Sequence, residues 1–218
     1  MLIAQEIVNQ KEAWLSGVVV FITLCIAILS FFYQKKLIAI SIFFISKQQT
    51  DRLQENERFF TPFCLLFFIV KLNVISLLIY LITTHFRVHL PFEDGFQNFI
   101  YFNAITFSFF TAHALLRRLL SFVLDYEALK KFSSDWVNYS NNLIIWLLPV
   151  LIVAIYNKSE YEWVILSPLV MLMFLLLLRF VFFVINHRKD ISNSTLYFIL
   201  YLCTFEIIPL LFLVRLAA

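Results

Sequence analysis

The chain has 218 residues, of which 62% are hydrophobic and only 14% are charged, and its mean hydropathy is +0.88. A soluble domain of this length carries about a quarter charged residues to cover its surface, so the apolar surplus here is expected to face lipid. Seventeen Lys and Arg against fourteen Asp and Glu give a net charge of +3, too weak a balance to indicate binding to nucleic acid.

A helix needs about 20 apolar residues to cross roughly 30 Å of hydrocarbon, and several stretches reach that length. In chain order the six stretches are residues 14–33, 59–82, 96–116, 136–156, 163–185 and 196–216. The pattern predicts an all-α protein, a polytopic bundle of six transmembrane helices in a single membrane domain over residues 1–218. Spans four and five are separated by six residues and should form a hairpin.

The first stretch carries no charge and ends at Lys35 and Lys36 rather than at a small-residue cleavage site, which indicates a true span and not a signal peptide. The following segment, Leu37 to Ser46, is too short to span and is expected to lie along the cytoplasmic interface or to re-enter slightly. Leu119 to Phe132 has one apolar helical face. It predicts a second interfacial amphipathic helix or, alternatively, a solvated extension of span three.

The distribution of Lys and Arg predicts the orientation, because these residues are held back on the cytoplasmic side during insertion. The connections after spans one, three and five hold eleven of them, and the opposite side holds four. Both termini are therefore expected outside the cytoplasm.

The sequence predicts no cofactor and no metal site. The three cysteines lie singly in apolar runs, and with only two glycines the phosphate-binding and dinucleotide-binding loops are excluded. His113 is the only histidine inside a predicted span, whereas haem b between helices usually needs two facing histidines.

Three charged side chains lie deep inside predicted spans: Lys71, Arg179 and Glu206. Each costs about 2.5 to 3.5 kcal/mol at the bilayer centre and needs a partner or water. Lys71 and Glu206 lie roughly 15 to 18 Å from the cytoplasmic ends of their spans, and Arg179 roughly 9 Å from its own. A Lys71–Glu206–Arg179 cluster is therefore possible if spans two, five and six are neighbours.

His113, Asn141 and Asn142 extend this predicted buried polar cluster. Pro149 and Pro209 are expected to kink spans four and six, because a proline removes an amide donor and frees the carbonyl four residues earlier. Two interpretations stay open. The cluster either lines a cytoplasmic cavity that binds an ion, a proton or a headgroup, or it consists of buried pairs that fix the order of the helices.

No catalytic residue is predicted. Glu206 is the only carboxylate within a span, and the sequence contains neither HExxH nor GxSxG. The spacings of aspartyl, metal-dependent and serine intramembrane catalysis are thus missing, and we expect a protein that is not an enzyme.

The last span contains YLCTFEIIP, residues 201–209. With this YLCTxEIxP core it resembles the closing helix of an uncharacterised family of six-helix integral membrane proteins from Bacteroidota, a domain of unknown function. The run LLPVLIVAIY of span four and residues 46–60 are similar to the same family. The resemblance implies a single domain in a bacterial inner membrane and carries no known reaction or ligand.

These observations favour a non-enzymatic inner-membrane subunit or assembly factor of a cell-envelope complex, for example one of protein export. Its partners would be the lipid bilayer and other membrane protein subunits, and no small-molecule ligand is indicated. Two alternatives stay open: a small transporter or proton-coupled permease in which Glu206 titrates, and a membrane enzyme that acts on a lipid or isoprenoid substrate.

Overall fold

The computed structural model describes residues 2–41, 62–86, 91–92, 94–124, 127–157 and 162–186. Within these ranges the chain forms five helices and no strand, as the all-α prediction requires. The helices are α1 (Leu2–Ser41), α2 (Pro62–His85), α3 (Gly95–Leu124), α4 (Glu127–Tyr156) and α5 (Glu162–Asn186). The sixth predicted span, residues 196–216, lies outside the described residues.

Four helical segments of the described chain are long and apolar enough to cross a membrane. They are Ala13–Ser41, Pro62–His85, Gly95–Leu116 and Tyr139–Tyr156. These segments overlap the first four predicted spans, and the first continues to Ser41, beyond the predicted end at residue 33. The fifth predicted span corresponds to α5, in which a shorter apolar stretch runs over Leu166–Phe182.

Local sequence signals explain where two of the helices begin. α2 begins at Pro62, where the missing amide donor costs no helical hydrogen bond. Before α3, a carboxylate oxygen of Asp94 accepts a hydrogen bond of 3.3 Å from the amide of Phe96 and so caps the helix. The buried Asn98 accepts a bond of 3.1 Å from the amide of Phe92 and donates bonds to the carbonyls of Phe92 and Asp94. Asn98 thereby ties the preceding connection onto α3.

α2 and α4 form the centre of the described bundle, because each of them packs against all four of the other helices. α4 and α5 pack closely along each other, as the short connection between them predicts. The most deeply buried apolar side chains come from α1, α2 and α4 and include Ile22, Leu29, Val70, Val74, Leu77, Leu147 and Leu151. The opposite faces expose large apolar side chains, as expected of helices that contact lipid.

α1 bends at Tyr33, whose φ of −132° and ψ of 36° lie outside the helical range. The chain then continues as a helix to Ser41, so the first part of the predicted interfacial segment is the end of α1. Ile40 is buried, which shows that this end packs into the bundle. The described portion of this segment is thus the packed end of α1, and its position relative to the membrane interface stays a prediction.

The predicted amphipathic helix over residues 119–132 does not form a separate element. α3 extends to Leu124 and α4 begins at Glu127, so the two helices divide this segment between them. Extending an existing helix adds a hydrogen bond for each residue ordered, whereas a new helix requires a new nucleus. The alternative prediction was an extension of span three. It is correct for the backbone of the first half of this segment, which continues α3 to Leu124.

A candidate polar site between the helices

Lys71 lies in the middle of α2 and contacts both α3 and α4. Its ammonium Nζ donates a hydrogen bond of 2.7 Å to Oγ of Ser140 in α4. The same Nζ lies 4.6 Å from the ring centroid of Phe110 in α3, within cation–π distance. The sequence predicts that the charge of Lys71 needs a partner. In the structure, this ammonium group contacts a hydroxyl and an aromatic ring from two neighbouring helices.

A second polar contact joins α2 to α3 one to two turns away. Oγ of Ser76 lies 3.4 Å from Oγ1 of Thr106, and it also donates a bond of 2.8 Å to the carbonyl of Leu72. Both hydroxyl-bearing residues are buried. Between hydrocarbon-facing helices such a contact fixes the rotation of one helix against the other.

Asn142 in α4 binds the end of α1. Its Nδ2 donates to the backbone carbonyls of Ile40 and Ser41, the latter at 3.0 Å. Nε1 of Trp146, one turn further along α4, lies 3.4 Å from the same Ser41 carbonyl. The last carbonyls of a helix have no partner within the helix, so Asn142 caps α1 from a distant element. Asn142 is fully buried, and its Oδ1 accepts no hydrogen bond from the described residues.

Residues 140–142 of α4 form a short polar run whose side chains point in two directions. Ser140 and Asn142 are two residues apart, which corresponds to about 200° around a helix, and they bind α2 and α1 respectively. Asn141, between them, is half-buried. One short polar run thus serves two helix interfaces.

The remaining members of the predicted cluster are distributed as follows. Arg179 of α5 is buried, with 8% of its surface exposed. His113 is half-buried and stacks on Phe109 of its own helix at 6.1 Å between ring centroids. Glu206 and Pro209 lie outside the described residues, so their part in the cluster stays a prediction.

The sequence also predicted a kink at Pro149. The structure has Pro149 inside α4, which is one helix from Glu127 to Tyr156, and a second proline, Pro168, inside α5. The size of a bend at Pro149 stays a prediction. The bend of α1 at Tyr33 was not predicted, since neither proline nor glycine marks it.

Sequence reasoning missed Ser140 and Phe110, which contact Lys71, and the hydroxyl pair of Ser76 and Thr106. Ser140 could have been found, because it directly precedes the singled-out pair of asparagines. Phe110 carries no such signal, since it is one of 27 phenylalanines.

A cavity of about 150 Å³ lies between α1, α2 and α4. Its lining is apolar and consists of Ile26, Leu37, Phe67, Val70, Ile144, Ile145 and Leu148. Among the residues whose placement is described, no three of His, Cys, Asp and Glu come close enough together to hold a metal ion. The contacts described between these helices are apolar packing, hydrogen bonds and a cation–π contact.

The family model of a domain of unknown function, DUF4271, matches residues 15–217 of the chain. No curated protein and no solved structure matches the chain.

Proposed function

The chain belongs to the DUF4271 family, and we propose that it is a non-enzymatic subunit or assembly factor of a cell-envelope complex in the bacterial inner membrane. One observation carries this proposal. Polar side chains of one described helix bind another part of the same protein in the bonds of Lys71 to Ser140 and of Asn142 to Ser41. Groups used in this way set helix order and rotation.

The cavity supports the same proposal over a permease. A transport pathway for an ion or a proton needs polar groups along a water-accessible space. The cavity between α1, α2 and α4 is instead lined by apolar side chains. A permease would have to place its pathway elsewhere in the protein.

α3 supplies the surface on which we propose that a partner subunit docks. Of the most apolar 18-residue stretch of α3, within Gly95–Leu116, only 11% is buried inside the described bundle. The corresponding values are 33% for α2 and 39% for α4. Large side chains on α3, among them Ile100, Phe107 and Leu115, are exposed. The described helices therefore cover little of α3, and we propose that the partner contacts the exposed face.

The proposal includes the topology. We propose that the connections after spans one, three and five are cytoplasmic and that both termini are periplasmic, on the strength of the Lys and Arg distribution. A periplasmic reporter fused after Ala218 should be active and a cytoplasmic reporter there inactive. The reverse result would invert the topology.

The function is tested by purifying the tagged protein from its native membrane in mild detergent and identifying bound proteins by mass spectrometry. We expect a stoichiometric membrane partner, such as a component of an export complex. Ala104→Trp adds bulk to the exposed face of α3 and should release that partner. Ala27→Trp makes the same change on an exposed position of α1 and should retain it.

A protein that emerges alone and stable would contradict the proposal. Transport would then be tested directly, by proton flux in liposomes that contain the wild-type protein or Glu206→Gln. Loss of flux in this variant would support the permease.

A further inference from the structure

The apolar cavity lies along the bend of α1. Ile26 lies before the bend at Tyr33 and Leu37 lies after it, and both side chains line the cavity. α2 closes one side with Phe67 and Val70, and α4 closes the other. An apolar cavity of this size accepts a benzene-sized hydrocarbon group. It therefore has room for a short segment of an acyl chain.

Two lysines, Lys35 and Lys36, directly follow the bend, in the same helix as the cavity residue Leu37. Lys35 is exposed, and Lys36 directly precedes the cavity residue Leu37. Nζ of Lys36 lies 5.5 Å from the ring centroid of Tyr33 and 5.6 Å from that of Phe63 at the start of α2. The two rings hold this ammonium group near one place, which lowers the entropy cost of binding an anion there.

Aromatic rings connect Lys36 to the cavity. The ring of Phe63 contacts that of Tyr33 at 5.5 Å and stacks on that of Phe67 at 5.9 Å between centroids. Phe67 in turn lines the cavity. Positive charge at the end of a span and an apolar space further in match the two ends of a phospholipid, a phosphate headgroup and an acyl chain.

We propose that the bend of α1 is a binding site for one anionic phospholipid, with its phosphate at Lys35 and Lys36 and one acyl chain in the cavity. The exposed Phe31 and Phe32, just before the bend, would contact the second chain. The inference is independent of whether the protein acts as a subunit or as a permease.

The lipid itself provides the first test. The protein is stripped of lipid in detergent and titrated with phosphatidylglycerol, and the bound species are counted by native mass spectrometry. We expect one tightly bound phosphatidylglycerol per chain. Phosphatidylcholine with the same chains, which lacks the net negative charge, and glycerol 3-phosphate, which lacks the chains, should each bind at least tenfold more weakly. The proposal would be overturned if phosphatidylcholine bound as tightly as phosphatidylglycerol. It would also be overturned if glycerol 3-phosphate did so.

Variants locate the site. Lys35→Gln combined with Lys36→Gln should weaken phosphatidylglycerol binding about thirtyfold, given the usual contribution of each lysine near a membrane surface. Arg117→Gln combined with Arg118→Gln removes the same charge from another predicted cytoplasmic connection and should leave this binding unchanged. Equal losses in the two double variants would show only a general attraction of anionic lipid.

The cavity is tested by filling it. Leu148→Phe places a larger side chain in the cavity and should weaken binding, whereas Val153→Phe, on the exposed face of the same helix, should not. If Leu148→Phe does not fold, chain length answers the same question. Lysophosphatidylglycerol, with one chain, should bind nearly as well as the two-chain lipid, and glycerophosphoglycerol, which has no acyl chain, much more weakly. Equal binding of all three would place the chain outside the cavity.

Discussion

The side-chain amide of Asn142 donates a hydrogen bond of 3.0 Å to the backbone carbonyl of Ser41, which lies 101 residues earlier in the chain. The bond caps the bent end of α1 with a residue of α4. It therefore connects two irregular features of the bundle. One is the bend of α1 at Tyr33, and the other is the polar run at the start of the apolar part of α4.

The first prediction concerns this cap. Asn142→Leu keeps the approximate shape of the side chain but leaves the carbonyls of Ile40 and Ser41 without their donor. We expect the free energy of unfolding to fall by about 1 to 2 kcal/mol, as for other buried interhelical hydrogen bonds. Unfolding in a denaturing detergent measures this change. In the control, Asn73→Leu, the lost bond is a local one to the carbonyl of Ile69 and the cost should be smaller; equal costs would contradict the role of Asn142.

The second prediction concerns the contact between α2 and α4. Lys71→Met and Ser140→Ala each remove one partner of the 2.7 Å hydrogen bond. A double-mutant cycle should give a coupling energy of about 0.5 to 1.5 kcal/mol in unfolding experiments. Lys71→Met combined with Ser30→Ala, at an exposed position of α1, should be additive. Additivity in both cycles would mean that the bond contributes nothing to stability.

The third prediction compares the two glycines. A Cβ on Gly95 would lie 2.7 Å from Oη of Tyr80 and 3.4 Å from the ring of Trp14, whereas a Cβ on Gly17 would meet nothing within 4 Å. Gly95→Ala should lower the free energy of unfolding by about 1 kcal/mol or more through overpacking. Gly17→Ala should raise it by about 0.5 to 1 kcal/mol because alanine favours a helix.

The same thermal or detergent unfolding experiment tests the cause at Gly95. Tyr80→Phe removes the hydroxyl that a new Cβ would meet, so the double variant Gly95→Ala, Tyr80→Phe should recover part of the loss. No recovery would show that the hydroxyl of Tyr80 is not the obstacle.

The fourth prediction concerns the acidic residue of the sixth predicted span. If Glu206 pairs with a buried cation, Glu206→Gln should lower thermal stability and the yield of the complex. Combining it with Lys71→Gln should then cost less than the sum of the single changes. Glu162→Gln, at the start of α5, is the control and should have little effect. Unchanged stability and unchanged complex yield in Glu206→Gln would remove this residue from the site.

The sequence by itself determined that the chain is helical and where four apolar helices lie, because both features depend on local properties. Helix length and hydropathy are read from consecutive residues, and Pro62 marks the start of α2 within three residues of the predicted bound of span two. The course of the chain between spans was less predictable. The bend at Tyr33 and the division of residues 119–132 between α3 and α4 have no proline or glycine to mark them.

Lys71 and Asn142 could be singled out from the sequence because polar groups in apolar stretches are costly and therefore rare. Their partners, Ser140 and the carbonyl of Ser41, were decided only by the tertiary structure. Helices that are apolar all round show no periodic stripe from which neighbours or rotation can be read. Contacts 69 and 101 residues apart in the chain therefore depend on how the helices pack, which no local pattern of this sequence specifies.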